Sequence, residues 1–144
     1  FILASLGANV TLIERSKRMY EILQNGINEG ISFGGEIQRI INRMELLFGD
    51  SKDILPKLSP EVIMIDTMYK ERKKTALVKN NMRLVREIVG PDSDYIELLK
   101  VALNCARHRV VLKQPRYADP IKKIRKCSHQ ILGKTIRYDV YMTN

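Results

Sequence analysis

Apolar positions fall into two rhythms along the chain. Short β-rich runs occur at Val10-Thr11-Leu12-Ile13, Met44-Glu45-Leu46-Leu47-Phe48 and Val62-Ile63-Met64-Ile65. Each closes on a carboxylate: Glu14, then Asp50 after Gly49, then Asp66. Between the runs the spacing becomes helical. Ser16 to Asn28 opens on a residue suited to N-capping and places Met19, Ile22, Leu23 and Ile27 on one face, and Ser51 to Leu58 predicts a shorter helix. Phe1 to Gly7 reads as the end of a helix closed by a C-cap glycine. Gly30 to Gly35 reads as a glycine-rich connection without the spacing that cradles phosphate. Strands alternating with helices in this way predict an α/β fold with a parallel sheet.

The second half predicts a long helix with Leu77, Val78, Leu84, Val85 and Ile88 on its packing face and Arg72, Lys79, Arg83 and Arg86 opposite. Gly90-Pro91 breaks it, Asp92 or Ser93 can cap the next helix, and Tyr95 to Ala106 follows with Leu98, Leu99, Ala102 and Leu103 as its buried stripe. Arg109 to Lys113 is a fourth strand, and Pro115 and Pro120 mark an irregular connection. His129 to Leu132, a turn at Gly133-Lys134 and Thr135 to Met142 form a hairpin. In its second arm Ile136, Tyr138, Val140 and Met142 alternate with Arg137, Asp139 and Tyr141. This antiparallel pair is expected to close one edge of the sheet. Without repeats or a low-complexity linker, residues 1–144 are expected to form a single domain.

Composition sharpens this picture. A 44% apolar, 28% charged chain can bury a core, which excludes disordered and collagen-like classes. No apolar run approaches the roughly 20 residues that span a bilayer. Cys105 and Cys127 have neither CxxC nor metal-ligand spacing, so a reduced, cytoplasmic protein without a metal site is expected. The net charge of +9 is concentrated. Lys70 to Glu87 holds seven basic and two acidic residues, and Arg116 to Arg137 holds seven basic and one acidic, so the remainder of the chain is slightly acidic. Such segments fit a phosphate-bearing partner, or serve simply as a solvated face.

Ligands of open α/β sheets bind outside the carboxyl ends of the strands. Glu14, Asp50 and Asp66 are therefore expected to line one rim, where a carboxylate can accept both hydroxyls of a ribose and another can accept from an adenine amino group. Asp66-Thr67-Met68-Tyr69 is sharper: an acidic residue at a strand end, a tight turn and an aromatic ring. It resembles the Asp/Asn-Pro-Pro-Tyr/Phe motif of methyltransferases acting on exocyclic amines, in which the ring stacks on the target base.

With Val10 to Arg15 (VTLIER), Lys74 to Lys79 (KTALVK), Met82-Arg83, Val89 to Asp92, Arg109 to Pro115 and Arg137 to Tyr141, that turn resembles the RsmJ family of small-subunit ribosomal RNA guanine-N2 methyltransferases over nearly the whole chain. The resemblance implies a Rossmann-like class I methyltransferase sheet, mostly parallel with a C-terminal antiparallel hairpin. It also implies S-adenosyl-L-methionine as cofactor and 16S rRNA or the small ribosomal subunit as partner. Carried over by position, cofactor contacts fall on Glu14, Arg15, Asp50, Ser51 and Asp66, and the catalytic positions on Asp66 and Tyr69. Lys70, Arg72, Lys73, Lys74 and Lys79 are the expected RNA contacts. Two departures stand out. Thr67 replaces the family proline, and the family's first strand and glycine-rich motif would precede Phe1, so the domain is expected to be N-terminally incomplete. The turn alone does not select guanine over adenine, which leaves methylation of another nucleic acid, or a non-catalytic basic RNA-binding remnant, as alternatives.

Overall fold

A computed structural model describes residues 1–66, 94–119, 121 and 124–143. The helix expected over 77–88, the Gly90-Pro91 break, the caps at Asp92 or Ser93, and Pro120 lie outside them. The described residues fall into two compact units, residues 1–51 and 52–144.

In the first unit, α1 (Ile2–Ser5) ends before Gly7, whose φ of 99° is the left-handed value a helix-terminating glycine supplies. The chain then forms β1 (Val10–Glu14), α2 (Lys17–Ser32), α3 (Gly35–Ile41) and β2 (Met44–Phe48). Ser16 caps α2 as expected, its hydroxyl accepting from the Met19 amide. The expected glycine-rich connection is corrected here. Gly30 lies inside α2 and is buried, because a Cβ at this position would stand 2.1 Å from Ile41 Cδ1; the glycine lets α3 approach closely. Only Phe33 and Gly34 separate the two helices. Ile40 and Ile41 of α3 are buried with Ala4, and Arg43 donates to the Ala4 carbonyl at 3.2 Å. β1 and β2 pair in parallel, with Glu14 opposite Phe48.

The second unit contains α4 (Ser51–Ile54), which opens at its boundary, a 3-10 turn (Leu55–Lys57), β3 (Val62–Asp66), α5 (Tyr95–Cys105), β4 (Arg109–Pro115), β5 (His129–Leu132) and β6 (Ile136–Met142). The strand order is β3-β4-β6-β5. β3 and β4 are parallel, β4 and β6 antiparallel, and the hairpin β5-β6 closes one end as the turn at Gly133-Lys134 predicts. Asp94 is the N-cap residue of α5, but its carboxylate binds Lys52 at 2.6 Å instead of capping the helix. Leu99 and Ala102 of α5 are fully buried, and the helix packs on β4.

Alternation along the strands sorts their side chains. Ile63 and Ile65 of β3 are buried while Val62 and Met64 are half exposed, and Val110, Leu112 and Gln114 of β4 are buried. The register sets Val110 opposite Tyr141, Leu112 opposite Asp139 and Gln114 opposite Arg137. One layer thus changes from apolar to polar toward the end of β4. Here the period-two pattern in β6 has an unexpected outcome: the face carrying Arg137, Asp139 and Tyr141 is buried, as is Val140 of the alternate face. Burial is tolerated because the charges are paired and their hydrogen-bonding groups engaged. Arg137 donates to Asp139 from Nε at 2.9 Å and from Nη2 at 3.2 Å, to Gln114 Oε1 at 2.9 Å, and to the carbonyls of Arg116 and Ala118 at 3.1 and 2.7 Å. Gln130 of β5 also donates to Asp139, at 2.6 Å.

Candidate active site

The site positions of the first unit are set by the pairing of β1 with β2. Glu14 is the last residue of β1, half-buried, and its Oε1 accepts from the Ser16 amide at 2.7 Å. Its main-chain carbonyl accepts from Gly49 at 3.0 Å. Gly49 has a φ of 143°, which side-chain-bearing residues rarely adopt, so the chain leaving β2 folds across the end of β1. Asp50 and Ser51 are thereby brought to the rim that carries Glu14 and the exposed Arg15. The Tyr20 ring meets Phe48 edge-on at 5.3 Å between centroids, which packs the first turn of α2 on the end of β2.

This rim can accept hydrogen bonds from the hydroxyl and amino groups of a polar ligand. A carboxylate held in orientation by a main-chain amide suits a ribose cis-diol. A second acidic residue beyond the neighbouring strand, about 5 Å away in strand spacing, suits an adenine amino group.

In the second unit Asp66 ends β3 directly opposite Lys113 of β4. Its side chain is 57% exposed, and Oδ2 accepts from Lys113 Nζ at 2.9 Å. The ammonium orients the carboxylate at the end of β3. Thr67, Tyr69, Lys70, Arg72, Lys73, Lys74 and Lys79 lie outside the described residues. Sequence reasoning missed the partnership of Lys113 with Asp66. Its signal is present, since aligning the two apolar runs Val62–Ile65 and Arg109–Leu112 in parallel brings the charges ending them together. A cavity of about 490 Å³ beside the 3-10 turn, lined by Pro56, Leu58 and Cys105 among others, contains none of the expected site residues.

Cys105 and Cys127 are both free and half-buried. Burial, and next the Asp139 carboxylate, push the Cys127 thiol above the usual cysteine range, the reverse of what a nucleophilic cysteine needs.

Comparison with known proteins decides the family. The family model described as "Putative SAM-dependent methyltransferase" matches residues 1–143. The chain belongs to this methyltransferase family. Within it, a relative from Agrobacterium fabrum named Ribosomal RNA small subunit methyltransferase J is 56% identical over 142 residues, covering 99% of this chain and 68% of the relative. A relative of the same name from Brucella anthropi is 52% identical, covering 99% of this chain and 69% of the relative. A crystal structure of a SAM-dependent methyltransferase from Neisseria gonorrhoeae superimposes with a TM-score of 0.76 at 30% identity, covering 99% of this chain and 55% of that one. The chain therefore spans between 55% and 69% of the length of these relatives. The α/β fold with parallel strands and an antiparallel hairpin is that of a family member, and S-adenosylmethionine is the family's cofactor.

Proposed function

We propose that the protein transfers a methyl group from S-adenosylmethionine to N2 of a guanosine in 16S ribosomal RNA. The observation that carries this reading is the 56% identity, across 99% of the chain, to a relative named as a small-subunit ribosomal RNA methyltransferase. The strand-end carboxylates are of the type such chemistry requires.

The cofactor supplies an activated sulfonium methyl group, so the protein's contribution is positioning and removal of water rather than nucleophilic attack by a side chain. Glu14 accepts the ribose hydroxyls, Asp50 the adenine amino group, and Arg15 and Ser51 complete the rim. Asp66, with Oδ2 on Lys113, would accept from the guanine amino group and orient its nitrogen toward the methyl group; transfer would break the sulfur–methyl bond, leave S-adenosylhomocysteine and release one amino proton to water. Tyr69 stacks on the guanine. Lys70, Arg72, Lys73, Lys74 and Lys79 contact phosphates, fixing register without reading sequence and making binding salt-dependent.

The test is Asp66→Ala with unmethylated 16S rRNA or small subunits and labelled S-adenosylmethionine. Because the side chain is 57% exposed, the variant is expected to fold normally and lose methyl transfer. Unchanged turnover would remove Asp66 from the reaction. Mass spectrometry of the nucleosides identifies the product: N6-methyladenosine in place of N2-methylguanosine would replace the proposed target base.

A further inference from the structure

The polar end of the buried layer in the second unit organises one short turn. β4 ends at Pro115, and the Ala118 amide donates to the Pro115 carbonyl at 3.0 Å, closing a bend over Arg116 and Tyr117. Both sides of Tyr117 are anchored. The Arg116 amide donates to the Thr135 carbonyl at 2.9 Å, and the carbonyls of Arg116 and Ala118 both accept from Nη1 of the buried Arg137. The Arg116 guanidinium reaches the Gly133 carbonyl and lies over the Tyr117 ring, 5.7 Å from its centroid. Tyr117, held in this frame, is 76% exposed.

An aromatic side chain is normally buried for its hydrophobic contribution, or free to rotate when it lies in a surface loop. Here main-chain hydrogen bonds fix the backbone on either side, a cation lies over one ring face, and the residue stays largely exposed among the described residues. The turn begins two residues beyond Lys113, the strand partner of Asp66, so it leaves the sheet at the end where Asp66 stands. It also opens the second basic segment, Arg116 to Arg137.

We propose that Tyr117 is a preformed stacking platform for an unpaired nucleobase of the RNA, with Arg116 backing the ring. A ring fixed before binding loses little entropy on contact, and stacking on a π-face accepts any base, so the platform adds affinity next to the target without choosing its sequence. This inference rests on the reading of the protein as an RNA methyltransferase, but its test does not depend on turnover.

The experiment measures binding of unmethylated 16S rRNA, transcribed in vitro, to the protein and to Tyr117→Phe, Tyr117→Leu and Tyr117→Ala at several salt concentrations. Phenylalanine is expected to retain affinity within about twofold, whereas leucine and alanine weaken it by roughly five- to a hundredfold. The salt dependence should be unchanged, because no charge is removed, and the melting temperature should not move. Equal affinity of Tyr117→Ala would overturn the proposal and leave the ring as a surface for another partner. Retention by leucine would reduce it to an apolar contact and overturn stacking; loss with phenylalanine as large as with alanine would replace stacking by a hydroxyl hydrogen bond. Methyl transfer by the unsubstituted protein to the same RNA is scored separately. Binding losses without any transfer overturn the activity and keep the platform, whereas normal transfer with unchanged Tyr117→Ala binding does the reverse.

Discussion

Asp139→Ala probes the buried ionic centre of the second unit. Asp139 is 3% exposed and accepts two hydrogen bonds from Arg137 and one from Gln130. Truncating it leaves a guanidinium inside the protein without its counter-charge. Removing one partner of a buried pair costs about 3–5 kcal/mol, against about 0–1 kcal/mol for a surface pair. Arg137 would keep its bonds to Gln114, Arg116 and Ala118, which places the expectation near the lower figure, about 3 kcal/mol. With a urea slope of about 2 kcal/mol/M, the unfolding midpoint followed by circular dichroism should fall by about 1.5 M with the slope preserved. A loss of under about 1 kcal/mol for Asp139→Ala would show that water reaches the pair, and would refute the account of the buried layer.

Other expectations are independent of that layer. Glu14→Gln keeps an oxygen for the Ser16 amide but removes the charge proposed to receive a ribose, so calorimetry should show S-adenosylmethionine bound about tenfold more weakly with folding intact; unchanged affinity would exclude Glu14 from the site. Gly49→Ala forces a side chain onto a φ of 143° and should destabilise the protein by about 1–2 kcal/mol in urea unfolding. Burial and Asp139 raise the Cys127 thiol, so its alkylation should reach half its maximal rate at a higher pH in the folded protein than in urea. The sign for stability is the corresponding one: folding favours the neutral thiol, so its contribution declines as pH rises past the value of the unfolded cysteine.

Local signals in the chain were read correctly where neighbours in sequence determine the outcome. β1 and β3 are apolar runs that end on a carboxylate, β2 is one followed by Gly49-Asp50, α2 starts on its Ser16 cap, and Gly133-Lys134 turns the hairpin. The third helix of the first unit, α3, was hidden because Gly34-Gly35 resembles a loop, although Ile37, Ile40 and Ile41 follow at helical spacing. Gly30 lies inside α2, where Ile41 leaves no room for a Cβ, a contact that the local pattern does not reveal. Pattern alone also showed that Arg137 and Asp139 share a face of β6. That this face is buried depends on Gln114, aligned by strand register from β4. The pairing of Asp66 with Lys113 is likewise a product of register, joining residues 47 positions apart.

The two carbonyls held by Arg137 also bear on how the gene can vary. Surface turns ordinarily accept insertions and deletions with little penalty. Between Arg116 and Ala118 the chain length is measured out by one nitrogen that must reach both oxygens. An added or lost residue there would break the span even if every side chain were kept. Length, rather than residue identity, is the tighter constraint on this stretch of surface.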